Sequence, residues 1–247
     1  MRIKIILTWD ILKDLIKNKI FLITGASSGL GNSLLLHLSE NGNKIYCLGR
    51  SNVKNKNVKS VKCDFKNLQN IKIKLNKLLD TNKIDYVILN AGILGKIKKI
   101  ETIKASELID ILKINVLANK EIIDFIIKKK IKTKLIIAIS SGAALSPKIG
   151  WYPYCSSKSA FKFLIESYAH ENKGRHFINV SPGLIKTKMQ TQICKVDSKK
   201  MPSVKRFKLL NKTNQVPSPA EVAQNIIENL RKFERKDSGS YIDIRKK

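Results

Sequence analysis

Residues 20–31 read Ile20-Phe21-Leu22-Ile23-Thr24-Gly25-Ala26-Ser27-Ser28-Gly29-Leu30-Gly31. A short apolar run of strand length ends in a turn with three glycines, and the turn opens into a predicted helix over residues 29–40. Glycine has no Cβ, so the backbone of such a turn can approach an anion closely. The helix beyond it points free N–H groups at the same place. The spacing is G-x-x-x-G-x-G rather than G-x-G-x-x-G. Its position between a first strand and a first helix makes it a candidate pyrophosphate turn, with Gly25, Ser27, Ser28, Gly29, Leu30 and Gly31 as the candidate contacts.

The chain keeps this alternation. Strands are predicted at 44–48, 58–63, 86–89, 134–140, 177–180 and 241–244, and helices at 68–79, 105–129, 154–171 and 219–233. Short apolar runs alternating with helices imply a parallel sheet covered on both faces. Right-handed crossovers make it a doubly wound α/β sheet. A chain of 247 residues suits one such domain, spanning 19–247. Residues 1–18 form an extension in which Trp9, Leu12, Leu15 and Ile16 fall at helical spacing, which predicts a short amphipathic helix. Residues 186–217 are polar and lysine-rich and are expected to fold over the substrate as a lid.

Composition bounds the rest. With 43% hydrophobic residues the chain is expected to fold, and no apolar run reaches membrane-spanning length. No secretory signal is legible at the start, so membrane insertion is not expected and the expected location is the cytoplasm. Cys47, Cys63, Cys155 and Cys194 form no C-x-x-C pair and no cluster with histidine, so they read as free thiols and no metal site is expected. The net charge of +29 is carried by 41 lysines and 7 arginines spread along the whole chain, beside abundant isoleucine and asparagine. That distribution reads as background composition. A nucleic-acid reader concentrates its cations on one face, so no specific nucleic acid is expected, although a positive field favours a phosphorylated ligand.

Two further places carry chemistry. The second strand ends Leu48-Gly49-Arg50-Ser51. A cofactor fold selective for NAD places an acid there to accept from the ribose hydroxyls. This chain offers Arg50, which suits a 2′-phosphate, so NADP(H) is preferred and NAD(H) remains open. Tyr154 and Lys158 stand four apart on a predicted helix and therefore share a face. A lysine cation held near a phenol is expected to lower its pKa from about 10 and to fit it for acid/base work. Ser141 ends the fifth strand, at the sheet edge where such folds bind ligands, and Asn115 sits inside the long helix.

Together these motifs resemble the short-chain dehydrogenase/reductase family over nearly all of residues 20–245. Thr24 to Gly31 matches T-G-x-x-x-G-x-G, Asp64 the acid at adenine, and Asn90-Ala91-Gly92 the N-A-G turn, with Leu89 in place of the first Asn of the fuller pattern. Asn115, Ser141, Tyr154 and Lys158 match the catalytic tetrad in order and spacing. Pro182-Gly183 and Thr187 match the P-G-x-x-x-T segment on the nicotinamide side. The resemblance implies a Rossmann-type fold that holds a nicotinamide dinucleotide at these positions. It also implies hydride exchange with a small carbonyl or alcohol, and relatives that are homodimers or homotetramers. Residues 187–193, 204–207, 217–223 and 238–243 are similar to the branch containing benzil reductase and sepiapterin reductase.

On that resemblance the substrate oxygen lies between Ser141 and Tyr154, Tyr154 gives the proton, and Lys158 holds the ribose and tunes the phenol. Asn115 supports a water, and Trp151 and Met189 line the pocket. Two alternatives stay open. One is an alcohol or sugar dehydrogenase running oxidatively. The other is a non-catalytic cofactor sensor or nucleic-acid binder on the same fold.

Overall fold

The computed structural model describes residues 16–198, 202 and 204–246. Seven strands, β1 (Ile20–Thr24), β2 (Lys44–Gly49), β3 (Val58–Lys62), β4 (Lys83–Leu89), β5 (Lys132–Ile139), β6 (Phe177–Ser181) and β7 (Tyr241–Asp243), form one sheet in the order β3-β2-β1-β4-β5-β6-β7. Every neighbouring pair is parallel. The chain winds outward through β2 and β3, then returns to the other side of β1 with β4. The reversal leaves a crevice beyond the C-terminal ends of β1 and β4, and ligands of open α/β sheets bind in such a crevice.

The helices are α1 (Gly29–Ser39), α2 (Leu68–Leu78), α3 (Ala105–Leu112), α4 (Ala118–Lys128), α5 (Tyr152–Glu171), α6 (Lys188–Cys194), α7 (Val204–Lys212), α8 (Pro219–Glu228) and α9 (Leu230–Glu234). They cover both faces of the sheet. Because side chains alternate along a strand, Phe21 and Ile23 join Leu34, Leu38, Val222 and Ile226 on one face. Leu22 and Val87 join Ile71, Ile122 and Phe161 on the other. The central strands are thus apolar on both sides, which is why they read as unbroken hydrophobic runs. Ile16, just ahead of β1, is buried in the first of these cores.

Several boundaries differ from the sequence expectation. The helix expected over 105–129 is interrupted by a π-helical turn at Lys113–Leu117. The one expected over 219–233 breaks at Asn229, after a start fixed by the Ser218–Glu221 capping box and Pro219. The strand expected from Tyr86 begins at Lys83, and the stretch 186–217 contains α6 and α7. The extension helix expected over 1–18 falls almost wholly outside the described residues. Among the described residues, no helix is long and apolar enough to cross a membrane.

Leu34 is fully buried between α1 and the sheet. Leu34→Ala should lower the unfolding free energy by about 2–5 kcal/mol, since the lost transfer energy adds to that of an unfilled cavity. Urea denaturation measures it. A loss well under 1 kcal/mol would mean that this face is not packed as described.

Candidate active site

The glycine turn after β1 is built by contacts that exclude a side chain. Gly25 and Gly29 have φ of 69° and 57°, in the left-handed region that favours glycine. At Gly31 a Cβ would lie 2.4 Å from the Gly25 carbonyl oxygen and 2.5 Å from Asn90 Nδ2. Asn90, at the end of β4, clamps the turn. Its Nδ2 donates to the carbonyls of Thr24 (2.9 Å) and Gly25 (3.2 Å). Thr24 Oγ1 in turn accepts from the backbone N–H groups of Asn90 and Ala91, both at 3.0 Å. The Asn90 side-chain NH2 and backbone N–H are therefore engaged in holding two strand ends together.

The start of α1 is free to meet an anion. Ser28 caps it with extended backbone (φ −161°, ψ 167°), and its hydroxyl makes no capping bond. Ser27, Ser28 and Asn32 share an open cleft of about 500 Å³ with Arg50, Lys54 and Lys188. Among the described residues, none that lines this cleft is acidic. A donor-rich turn, a helix start and a cleft walled by cations suit the pyrophosphate and phosphate groups of a dinucleotide. Asp64, exposed, accepts from Lys66 N (3.0 Å) beyond β3. Gly183, with φ of 77°, follows Pro182 after β6, and the Thr187 methyl lies 3.3 Å from where a Cβ on Gly29 would be. The segment after β6 therefore rests against the phosphate turn.

Asn115, Ser141, Tyr154 and Lys158 come together beyond β4 and β5. The π-helical turn turns Asn115 inward. Its Oδ1 accepts from Ile93 N (2.8 Å), and its Nδ2 donates to Ile93 O (2.9 Å) and Ser157 Oγ (2.9 Å). Ser157 Oγ donates to Tyr154 O at 2.8 Å. Hence the Asn115 amide is fully engaged with protein, and it positions the loop after β4 against α5. Ser157, which the sequence reading did not single out, is fully buried as the link; its signal was a serine beside Lys158.

Lys158 is buried, and its Nζ donates to Ile139 O at 2.7 Å. It lies 3.8 Å from where a Cβ on Gly92 would be, an ordinary contact distance from the loop after β4. Burial lowers its pKa to about 8, because the ammonium loses hydration that one carbonyl does not replace. Tyr154 is buried too, and burial pushes its pKa up to about 12, partly opposed by hydrogen bonding to Ser141. The lowering expected from Lys158 is therefore not found. Nζ stands 5.8 Å from the Tyr154 ring centroid, and desolvation of the phenolate dominates. Ser141 Oγ accepts from Ala143 N at 3.1 Å, which leaves its own O–H free to donate.

Beside Tyr154 lies an apolar cluster of Leu94, Ala143, Trp151, Cys155, Ile193 and Val204, with Met189 and Phe207 packed on it. Trp151 meets Tyr154 edge-on at 6.1 Å and stacks on Phe207 of α7 at 5.1 Å. Trp151 and Met189 thus belong to the apolar cluster around Tyr154. Phe207 joins them by a tertiary contact that sequence spacing does not reveal.

The profile of the family described as short chain dehydrogenase matches residues 19–197. The chain is 29% identical over 241 residues to a benzil reductase ((S)-benzoin forming) of Bacillus subtilis, covering 92% of this chain and 98% of that protein. It is 31% identical to a 3-oxoacyl-[acyl-carrier-protein] reductase of Rickettsia prowazekii, covering 71% and 76%. A solved short chain dehydrogenase/reductase from Saccharomyces cerevisiae superposes with a TM-score of 0.83 at 24% identity, covering 92% of this chain and 96% of that one.

The buried ammonium gives a stability prediction. Lys158 has a folded pKa near 8, below the unfolded value of about 10.4, so the unfolded chain binds more protons between those pH values. Its contribution to stability therefore becomes more favourable as pH rises through that window, by up to ~3 kcal/mol. Lys158→Met should remove this rise and match or exceed the parent's Tm at neutral pH. Thermal unfolding of both proteins from neutral pH to about pH 10 checks it. Parallel curves would show that Lys158 is not buried as a cation.

Proposed function

The chain belongs to the short-chain dehydrogenase family and is an NAD(P)-dependent oxidoreductase of carbonyl or alcohol groups; from that premise we propose that it is a ketone reductase preferring NADP(H), with Tyr154 as proton donor. The observation that supports the proton-donor role is the burial of Tyr154. A phenol whose pKa is pushed up to about 12 holds its proton at neutral pH and can give it to an oxygen that becomes basic.

The nicotinamide dinucleotide, when bound, supplies the hydride. In this reading Gly25 to Gly31 hold its pyrophosphate and Arg50 the 2′-phosphate. Asp64 meets adenine, Asn90-Ala91-Gly92 shape the wall, and Pro182, Gly183 and Thr187 meet the nicotinamide side. Ser141 donates its O–H to the substrate oxygen, for which the bond from Ala143 N orients it. Tyr154 Oη delivers its proton to the same oxygen as negative charge builds there. Lys158 binds the ribose and keeps a positive charge beside the phenol. Asn115, through Ser157, fixes the height of α5 at Tyr154. The likeness to the Bacillus benzil reductase extends the proposal to aromatic diketones, and the Trp151–Phe207 stack supports it with flat apolar surface at the pocket.

Purified protein should oxidise NADPH in the presence of benzil or a simple aryl ketone, and more efficiently than NADH. Tyr154→Phe should cut kcat by at least about 10²-fold while leaving NADPH affinity, read by fluorescence titration, unchanged. Full turnover in that variant would remove Tyr154 as the donor. In the reductive direction both Lys158 and Tyr154 act in their protonated forms. The rate is therefore held at neutral pH, declines as pH passes about 8 and is lost towards about 12. A rate that climbs steadily from neutral to about pH 9 would contradict this assignment.

A further inference from the structure

The cleft between the phosphate turn and the loop after β2 draws cations from two distant parts of the chain. Arg50 and Lys54 come from the loop, and Lys188 is the first residue of α6. All three are exposed, and no described residue that lines the cleft carries negative charge. Three cations facing one solvent-filled gap repel one another, and a phosphate placed among them removes that repulsion.

Lys188 differs from the other two because it belongs to the lid. Thr187, next to it, packs against Gly29, and Gln192 Nε2 donates to Gly95 O at 2.7 Å. Gln190, one turn inside α6, reaches the Phe207 carbonyl at 3.5 Å. Phe207 stacks on Trp151, which meets Tyr154. A continuous set of contacts therefore joins the cation at the phosphate cleft to the apolar cluster around Tyr154.

We propose that Lys188 binds the adenosine 2′-phosphate of NADP(H) jointly with Arg50, so that this phosphate draws α6 and α7 down over the substrate pocket. NAD(H), which lacks the phosphate, leaves the lid more loosely held. The inference rests on the dinucleotide reading above and adds that the lid itself reads the cofactor. Selectivity then appears in lid closure as well as in affinity. The exposed basic residues of the lid, Lys195, Lys205 and Arg206, report closure as tryptic sites.

The test uses the full chain with two nucleotides that carry no nicotinamide, adenosine 2′,5′-bisphosphate and 5′-AMP. Calorimetry gives their affinities, and limited trypsin digestion gives the rate of cleavage within residues 195–212. In the parent protein the bisphosphate should bind at least about tenfold more tightly than 5′-AMP, and at saturation it alone should slow lid cleavage. Lys188→Gln should cost about tenfold in bisphosphate affinity, leave 5′-AMP affinity unchanged and abolish the protection. Arg50→Gln should also weaken the bisphosphate, yet at saturation the lid should still be protected. Lys186→Gln, the same change of charge outside the cleft, is the control and should alter neither reading. Equal losses from Lys186→Gln and Lys188→Gln would reduce the effect to general electrostatics and overturn the proposal. So would equal protection by the two nucleotides, or tight bisphosphate binding with an unprotected lid. Failure of either nucleotide to bind the parent protein would instead bring down the dinucleotide reading, and this inference with it.

Discussion

The molecule is organised around one close approach of backbone to backbone, where β1 turns into α1. The Gly25 carbonyl and Gly31 sit too near for any side chain, and the Asn90 amide bonds the carbonyls on both sides of the turn's first bend. This contact sets the height at which β1 and β4 end side by side, and so the floor of the crevice. Everything that acts on a ligand is placed relative to that floor: the start of α1, the loop from Ala91, and the segment after β6 that leans on Gly29. A methyl group at Gly31 would force the strand ends apart, and the crevice would lose its shape before any contact with ligand was removed.

The polar centre beside it is held at a cost in stability. Lys158 and Tyr154 are both buried, and burial moves both pKa values towards the neutral forms. Water would solvate these groups better than the protein does. They persist there because α5 is fixed by Ser157 and Asn115 below and by the Ile139 carbonyl beside Lys158. The π-helical turn at 113–117 belongs to the same arrangement, since it interrupts regular helix to direct one amide at two other elements.

The basic surplus has a structural consequence of its own. With 19 acidic residues against 48 Lys and Arg, carboxylates serve more than one cation. Asp80 lies between Lys44 and Lys59, Glu107 between Lys96 and Lys98, and Glu234 between Lys134 and Arg231. These surface pairs add little individually, but they disperse repulsion over the surface. The cleft at Arg50 stands apart because its described lining holds cations and no acid.

The sequence by itself determined the class of fold and where its strands and helices lie, because apolar runs of strand length, glycine turns and helical spacing are local properties. It also pointed to Thr24–Gly31, Ser141 and the Tyr154–Lys158 pair by their places on strand ends and a helix face, while Asn115 came only from the family resemblance. Local pattern could not show how those groups would be charged or what they would touch. The pKa of Tyr154 depends on how many atoms exclude water around it, and the proximity of Lys158 in sequence pointed the wrong way. Ser157 as a link, Phe207 stacked on Trp151 and Lys188 sharing a cleft with Arg50 are contacts between elements tens of residues apart or more. Only the packed structure brings them together, because burial, hydrogen-bond saturation and electrostatic grouping are set by neighbours in space.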